Sequence, residues 1–260
     1  MKKEFKLIDF LKSNPVSLSI TDLRKKFEDN CVLRGLSLEV LKGETLVILG
    51  GSGAGKSVLL KHIVGLLKPD SGDIEINNKS IINNGALNEF NIGYVFQSSA
   101  LFSSMTVEEN VALYLTEHRV FSDKSVVKSL VNDALSIVGL EGCDQQYPSE
   151  LSGGMKRRVA TARAIVMNPD LILFDEPTTG LDPVMTKTIG DLILNLKRNV
   201  NVTQIVVTHD IELAFYIGDR ISIICDGVIA EVGTAREIAE CKNPAVVNMI
   251  SPKFEIRNGG

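Results

Sequence analysis

At 260 residues, 44% of them hydrophobic and 23% charged, the chain has the length and balance of one large α/β domain with a hydrophobic core, and a disordered or fibrous chain is excluded. A formal net charge of −4 excludes the positive field that would favour nucleic acid or an anionic bilayer surface, so any membrane contact is expected to be indirect, through a protein partner. The cysteines Cys31, Cys143, Cys225 and Cys241 are scattered without a CxxC pair, which argues against a zinc site or a disulfide framework and for a reducing compartment.

The opening stretch MKKEFKLIDFLKSN is basic, but Asp9 and Lys12 break up its apolar residues and no small-residue cleavage site follows, so it does not read as a signal peptide. No apolar run approaches the roughly 20 residues needed to cross a bilayer, so the chain is not expected to form a permeation path. From Val16 to Phe27, and again through LSLEVLKGETLVILG, imperfect alternation and β-branched residues predict strands that lead into a glycine-rich turn. A helical period then runs from Val58 to Leu67, is stopped by Pro69, Asp70, Ser71 and Gly72, and gives way to a short strand at DIEI.

Between about Gln97 and Met167 strand signals vanish. VEENVALYLTEH and VVKSLVNDALSIVGL read as helices, with Thr106 and Glu109 spaced as a capping box. A helical subdomain is expected over about 98–168. After it, LILFD, the helical MTKTIGDLILNLKRN, QIVVT, a short helix and RISIIC alternate as in a parallel sheet. Asp182 and Pro183 supply an N-cap and a first-turn proline for the middle helix, and Asp226-Gly227 reads as a two-residue hairpin turn before VIAEVG.

Three patterns carry chemistry. Gly50, Gly51, Ser52, Gly53, Ala54, Gly55, Lys56 and Ser57 fit GxxxxGK followed by Ser or Thr, after the strand ETLVIL and before a helix. Glycines let successive N–H groups curl around phosphate oxygens, and the helix N-terminus adds positive character. Lys56 is placed to neutralise the outer phosphates and Ser57 to ligate Mg²⁺. A chance glycine-rich turn is a poor alternative to a full match in this context.

Asp175 and Glu176 end the apolar run LILFDE, where adjacent carboxylates are costly unless a cation or substrate uses them. Alternation along a strand is expected to aim them differently, Asp175 toward the metal through water and Glu176 toward an attacking water as base. An exposed acid pair at a strand end is the plainer alternative.

The third pattern, LSGGMKRRVATARAI, opens with Ser152, Gly153 and Gly154, a second small-residue helix start that could cradle an anion or be an ordinary cap. Its cluster Lys156, Arg157 and Arg158 reads as a solvated helix face. His209 follows QIVVT where a γ-phosphate could be sensed, although a lone histidine there is more often structural. Gln97, after IGYVF, is by itself a solvated loop residue, and packing or surface roles suit His62 and His118.

Taken together, these residues resemble the ABC ATPase family, from about Val16 to Val232 and in the expected motif order. The resemblance implies a P-loop NTPase of ABC type over 1–260. Its core would be a mixed, largely parallel sheet with an N-terminal antiparallel β part, the inserted helical subdomain, and a short tail from about 234. It implies ATP and Mg²⁺ as cofactors, with adenine stacked on Phe27 and Val58 counted beside the P-loop residues. Ser57, Gln97 and Asp175 would serve the metal, and Glu176 and His209 hydrolysis.

In that family Ser152, Gly153 and Gly154 of one copy complete the ATP site of a second copy. Leu181 and Asp182 form the loop between the copies, and Gln97 links Mg²⁺ to the membrane subunit. One position departs from the commonest pattern, since Met155 stands where Gln is usual and its polar side-chain contacts are lost.

The wording GGSGAGKSVLLKHIVGLLKPDSG, SSALFSSMTVEENV, Met155 with KRRVATARAI, and the tail NPAVVNMI is similar to the ATPases of MCE-associated, Mla-type lipid transporters. Expected partners are therefore integral permease subunits, an MCE-domain protein and a small regulatory subunit, at the cytoplasmic face of the inner membrane. The same engine on an amino-acid or other small-solute importer is the alternative. A DNA-repair relative would need a long coiled-coil insertion and a ribosomal one a second domain, and a scaffold without hydrolysis would not need both Glu176 and His209.

Overall fold

A computed structural model describes residues 7–11, 14–83 and 85–254, with the side chains of 8, 9 and 251–254 left aside. In chain order the first elements are α1 (Leu7–Phe10), β1 (Leu18–Phe27), β2 (Asn30–Val40), β3 (Thr45–Leu49), α2 (Lys56–Ile63), β4 (Ser71–Ile76) and β5 (Lys79–Ser80). Next come β6 (Ile92–Val95), α3 (Val107–Glu117), α4 (Lys124–Ile137), α5 (Gly153–Ile165), β7 (Leu171–Asp175) and α6 (Pro183–Val200). The chain closes with β8 (Thr203–Thr208), α7 (Ile211–Ile217), β9 (Arg220–Cys225), β10 (Val228–Gly233), α8 (Ala235–Ala239) and α9 (Pro244–Phe254). Two compact units emerge, one comprising Met1–Asn14 with Phe90–Val202 and the other Pro15–Glu89 with Thr203–Gly260.

The Pro15–Glu89 and Thr203–Gly260 unit holds two sheets. One is antiparallel, in the order β2-β1-β4-β5, and β1 bulges at Asp22, whose φ of 46° breaks the alternation that its sequence keeps only imperfectly. The other is mixed, because β3 pairs parallel with both β8 and β9 while β10 runs antiparallel to β9. Every residue of β3 and β8 is buried, as in strands covered on both faces.

Asp226 and Gly227 make the expected hairpin turn, with φ of 48° and 77° in the primed-turn region that matches strand twist. α2 is shorter than its periodicity suggests: it ends at Ile63, and Gly65 at φ 71° turns the chain before Pro69 is reached, leaving Leu66 exposed. The segment after 234, expected as a tail, carries α8 and α9.

The other unit packs α3, α4, α5 and α6 with the parallel pair β6 and β7, and the helical subdomain expected over 98–168 lies within it. On α4, Val127, Leu130, Val131, Ala134 and Leu135 form one buried stripe at helical spacing. The Thr106–Glu109 capping box is present in both directions, as is the Asp182 N-cap of α6 with its first-turn proline. α1 is tied to α4 by the Leu7 amide, which donates to Asp133 Oδ2 at 2.7 Å, and Phe10 meets Phe121 edge-on with ring centroids 5.4 Å apart.

Candidate functional site

The phosphate loop begins where β3 ends. Leu49 lies opposite Thr208 in the β3–β8 ladder, and the Gly50 amide donates to the Thr208 carbonyl at 3.2 Å. His209, the next residue along, is exposed and leaves β8 beside the start of this loop. The sheet register alone thus brings the loop and His209 together.

Gly55 adopts φ 97°, and a Cβ there would sit 2.9 Å from Leu33 Cδ2, so both conformation and packing require glycine. By contrast, a Cβ on Gly51 or Gly53 would meet nothing within 4 Å, so this rim of the loop is open. No side chain caps α2, which leaves first-turn N–H groups to an anion. Lys56 is buried at 6% exposure, and its ammonium donates to Gly50 O at 2.7 Å and Gly51 O at 2.9 Å. A buried cation at an open rim of backbone donors fits a polyphosphate. Ser57 and Val58 follow Lys56 in the first turn of α2.

Phe27 closes β1 in the same unit and is 40% exposed, with the Lys25 ammonium 5.5 Å from its ring centroid. Lys25 is held in turn by Asp70 Oδ1 at 2.8 Å and Lys68 O at 2.9 Å. Hydrogen bonding to Lys25 keeps the Asp70 carboxyl below the usual carboxylate range. The remaining ring surface suits a planar base.

The Phe90–Val202 unit carries Gln97, Ser152, Gly153, Gly154, Asp175, Glu176 and Asp182. Asp175 ends β7, buried at 6% exposure, and its Oδ2 accepts from the Tyr94 hydroxyl on β6 at 2.9 Å. Burial first, and the Asp175 charge second, raise the Tyr94 pKa well above its ordinary value, so the phenol remains a donor.

Glu176 is buried at 8% and lies one residue past the strand at φ 48°, a left-handed conformation uncommon for a residue with a side chain. Glu176 thus lies just outside the strand, so the alternation expected from the sequence does not set its direction. Thr179 Oγ1 donates to Glu176 Oε2 at 3.2 Å. No group of three or more His, Cys, Asp or Glu side chains able to hold a metal exists among the described residues.

Ser152 caps α5 by accepting from the Met155 amide at 3.2 Å, and Gly153 and Gly154 follow as its first residues. A Cβ on Gly154 would lie 2.8 Å from Met185 Cε, so close approach to α6 is one reason for glycine there. Asp182 Oδ1 is engaged with the Met185 amide at 2.9 Å as the α6 cap. Gln97 is exposed in the loop after β6.

That loop is pinned by residues that composition did not single out. Asn110, fully buried, accepts from Phe102 N and donates to the carbonyls of Phe102, Met105 and Thr106, and Arg163 donates to Ser99 O and Ala100 O. The basic cluster is not a solvated face: Arg157 is buried, and Arg158 donates to Val138 O and Gly139 O at the end of α4.

Tyr94→Phe removes the donor to Asp175 while keeping the ring against Phe96. We expect a loss of about 1 kcal/mol of stability, read as a lower urea midpoint at unchanged slope. An unchanged midpoint would mean that water replaces the phenol.

A family profile described as ABC transporter matches residues 33–179. The sulfate/thiosulfate import ATP-binding protein CysA of Synechocystis sp. is 40% identical over 225 residues, 86% of this chain and 62% of the relative. The protein TRIGALACTOSYLDIACYLGLYCEROL 3, chloroplastic, of Arabidopsis thaliana is 37% identical over 254 residues, 89% of this chain and 72% of the relative. A dimeric ATP-binding cassette in a post-hydrolysis state bound to ADP and Pi superposes with a TM-score of 0.76 at 33% identity, covering 84% of this chain and 99% of that one. The chain spans 62% to 65% of the length of the first curated relatives it matches.

Proposed function

The chain belongs to the ABC transporter family, and on that premise we propose that it is the ATP-binding and ATP-hydrolysing subunit that powers a bacterial transporter of phospholipid, of the MCE-associated, Mla type. The observation that carries the ATPase reading is the phosphate cradle: an open glycine rim with the buried Lys56 ammonium at its base. Bound Mg²⁺–ATP supplies the phosphoanhydride whose cleavage does the work. Lys56 offsets phosphate charge, Ser57 offers a hydroxyl to the metal, and Phe27 takes the base. Glu176 accepts a proton from water, and the exposed His209 donates to a phosphate oxygen.

The similar cassette described as dimeric, with ADP and Pi, supports a working pair in which Ser152, Gly153 and Gly154 of one copy face nucleotide held by the other. No helix among the described residues is long and apolar enough to cross a membrane, which suits a subunit seated on separate permeases at the cytoplasmic face.

The lipid cargo is supported by the wording around Met155 and Gln97 and by similarity to a relative named for a galactolipid. Similarity at 40% identity to a sulfate/thiosulfate importer supports the small-solute reading as the second choice. Affinity capture of the intact chain from detergent-solubilised membranes of its source, with mass spectrometry of proteins and lipids, separates them. A permease with an MCE-domain protein and bound phospholipid is expected, and a permease with a solute-binding protein would overturn the lipid reading.

A further inference from the structure

The least expected buried residue in the Phe90–Val202 unit is Arg157, in the second turn of α5 and only 9% exposed. Its Nη2 donates to the Gln97 carbonyl at 3.4 Å and also to the Thr179 carbonyl, while its Nε is buried without a hydrogen-bond partner. Burial lowers its pKa from the ordinary arginine value. A cation costs free energy in such a place, and here it bridges the two loops that follow the paired strands β6 and β7.

From Thr179 the connection continues to Glu176. The Thr179 hydroxyl donates to Glu176 Oε2 at 3.2 Å, and its amide donates to Glu176 O at 3.3 Å. Glu176 also has the left-handed backbone, φ 48°, that persists only where surrounding contacts over-determine it. The same nitrogen of Arg157 therefore touches the loop of Gln97 and the turn that orients Glu176, from a helix that begins at Ser152 and Gly153.

We propose that Arg157 is a positioning residue for hydrolysis, a strut that holds the Thr179 turn so that the Thr179 hydroxyl aims the Glu176 carboxylate, and that relays displacement of the Gln97 loop or of the α5 N-terminus to that carboxylate. The inference rests on the reading of Glu176 as base. It adds a route by which events at Gln97 or at Ser152–Gly154 set the competence of the base. It also accounts for the two arginines of the motif differently: Arg158 closes the end of α4, whereas Arg157 serves the loops.

The test compares Arg157→Met, Thr179→Val, their double variant and Arg157→Lys in the full chain, with ATP turnover and binding of a fluorescent ATP analogue measured for each. Each single change is expected to lower kcat about tenfold, the rate equivalent of one well-placed hydrogen bond, with KM and analogue affinity within about twofold. Because both act through one chain of contacts, the double variant should lose no more than the worse single one. Arg157→Lys, which keeps a donor for the two carbonyls, should recover to within about threefold of the parent. Additive losses, or parallel changes in kcat and analogue affinity, would overturn the strut. So would full activity of Arg157→Met. Thermal melts identify a variant that has merely unfolded, and the lysine variant then decides. A parent chain that binds the analogue but has no turnover sinks the base assignment and this inference with it, whereas an active parent with a neutral Arg157→Met sinks the strut alone.

Discussion

Glu176→Gln is expected to lower ATP turnover by roughly two to four orders of magnitude while ATP affinity stays within about twofold, because general-base catalysis contributes on that scale and binding does not depend on the proton acceptor. The amide has the shape of the carboxylate, and its oxygen can still accept from Thr179 Oγ1, so the turn at residues 176–179 keeps its hydrogen bond. The left-handed backbone at φ 48° is equally open to glutamine. Stability should not suffer either. Asp175 and Glu176 are adjacent and both nearly buried, so neutralising one removes a like-charge interaction and a desolvated anion.

We therefore expect a melting temperature equal to or above that of the parent, together with lost phosphate release. Single-turnover phosphate release and equilibrium binding of ATP, measured on the same preparation, check both halves. If turnover survives, Glu176 is not the base, and His209, which leaves β8 beside the phosphate loop, becomes the next group to test.

The glycine-rich loop was legible because its signal is local, a strand, six residues and a helix, although Gly50 and Gly55 also answer to Ile224 and Leu33 outside the loop. The caps at Thr106 and Asp182 were legible for the same cause, since an N-cap and its acceptor lie within one turn of each other. What the chain hides is tertiary. β3 pairs with β8 and β9 across most of the sequence, and no pattern within β3 says which strand will lie beside it.

Glu176 shows where a local rule stops applying. Strand alternation predicted that it would diverge from Asp175, yet the strand has already ended and Glu176 adopts a left-handed backbone. Arg157 shows the converse. In a run of three basic residues, surface is the better prior, and only the carbonyls of Gln97 and Thr179, remote in sequence, make burial tolerable. The overlong helix after the phosphate loop has a plainer cause, since apolar periodicity continues through Leu66 and Leu67 while Gly65 has already turned the chain.

Lys56→Ala should fail at the step that Glu176→Gln leaves intact. Lys56 is 6% exposed, its ammonium donates to Gly50 O and Gly51 O, and it sits at the start of a helix with no side-chain cap. Charge-assisted hydrogen bonds contribute about 1.5–3 kcal/mol each, so losing contacts to two phosphates should weaken ATP binding by at least about a hundredfold. A nucleoside or its monophosphate, held through the base at Phe27, should bind nearly as before, and the ratio of ATP to monophosphate affinity is the diagnostic quantity. Without ligand the variant should melt close to the parent, because the loss of two lysine hydrogen bonds is offset by removal of a buried cation. With ATP present the parent should gain stability in proportion to the logarithm of ligand concentration over Kd, and the variant should gain almost none at the same concentration. Equal ligand-induced stabilisation of parent and variant would show that Lys56 does not contact phosphate, leaving the cradle as a structural turn. The predicted loss, set beside intact binding in Glu176→Gln, would place recognition at Lys56 and proton transfer at Glu176 as separable acts of one enzyme.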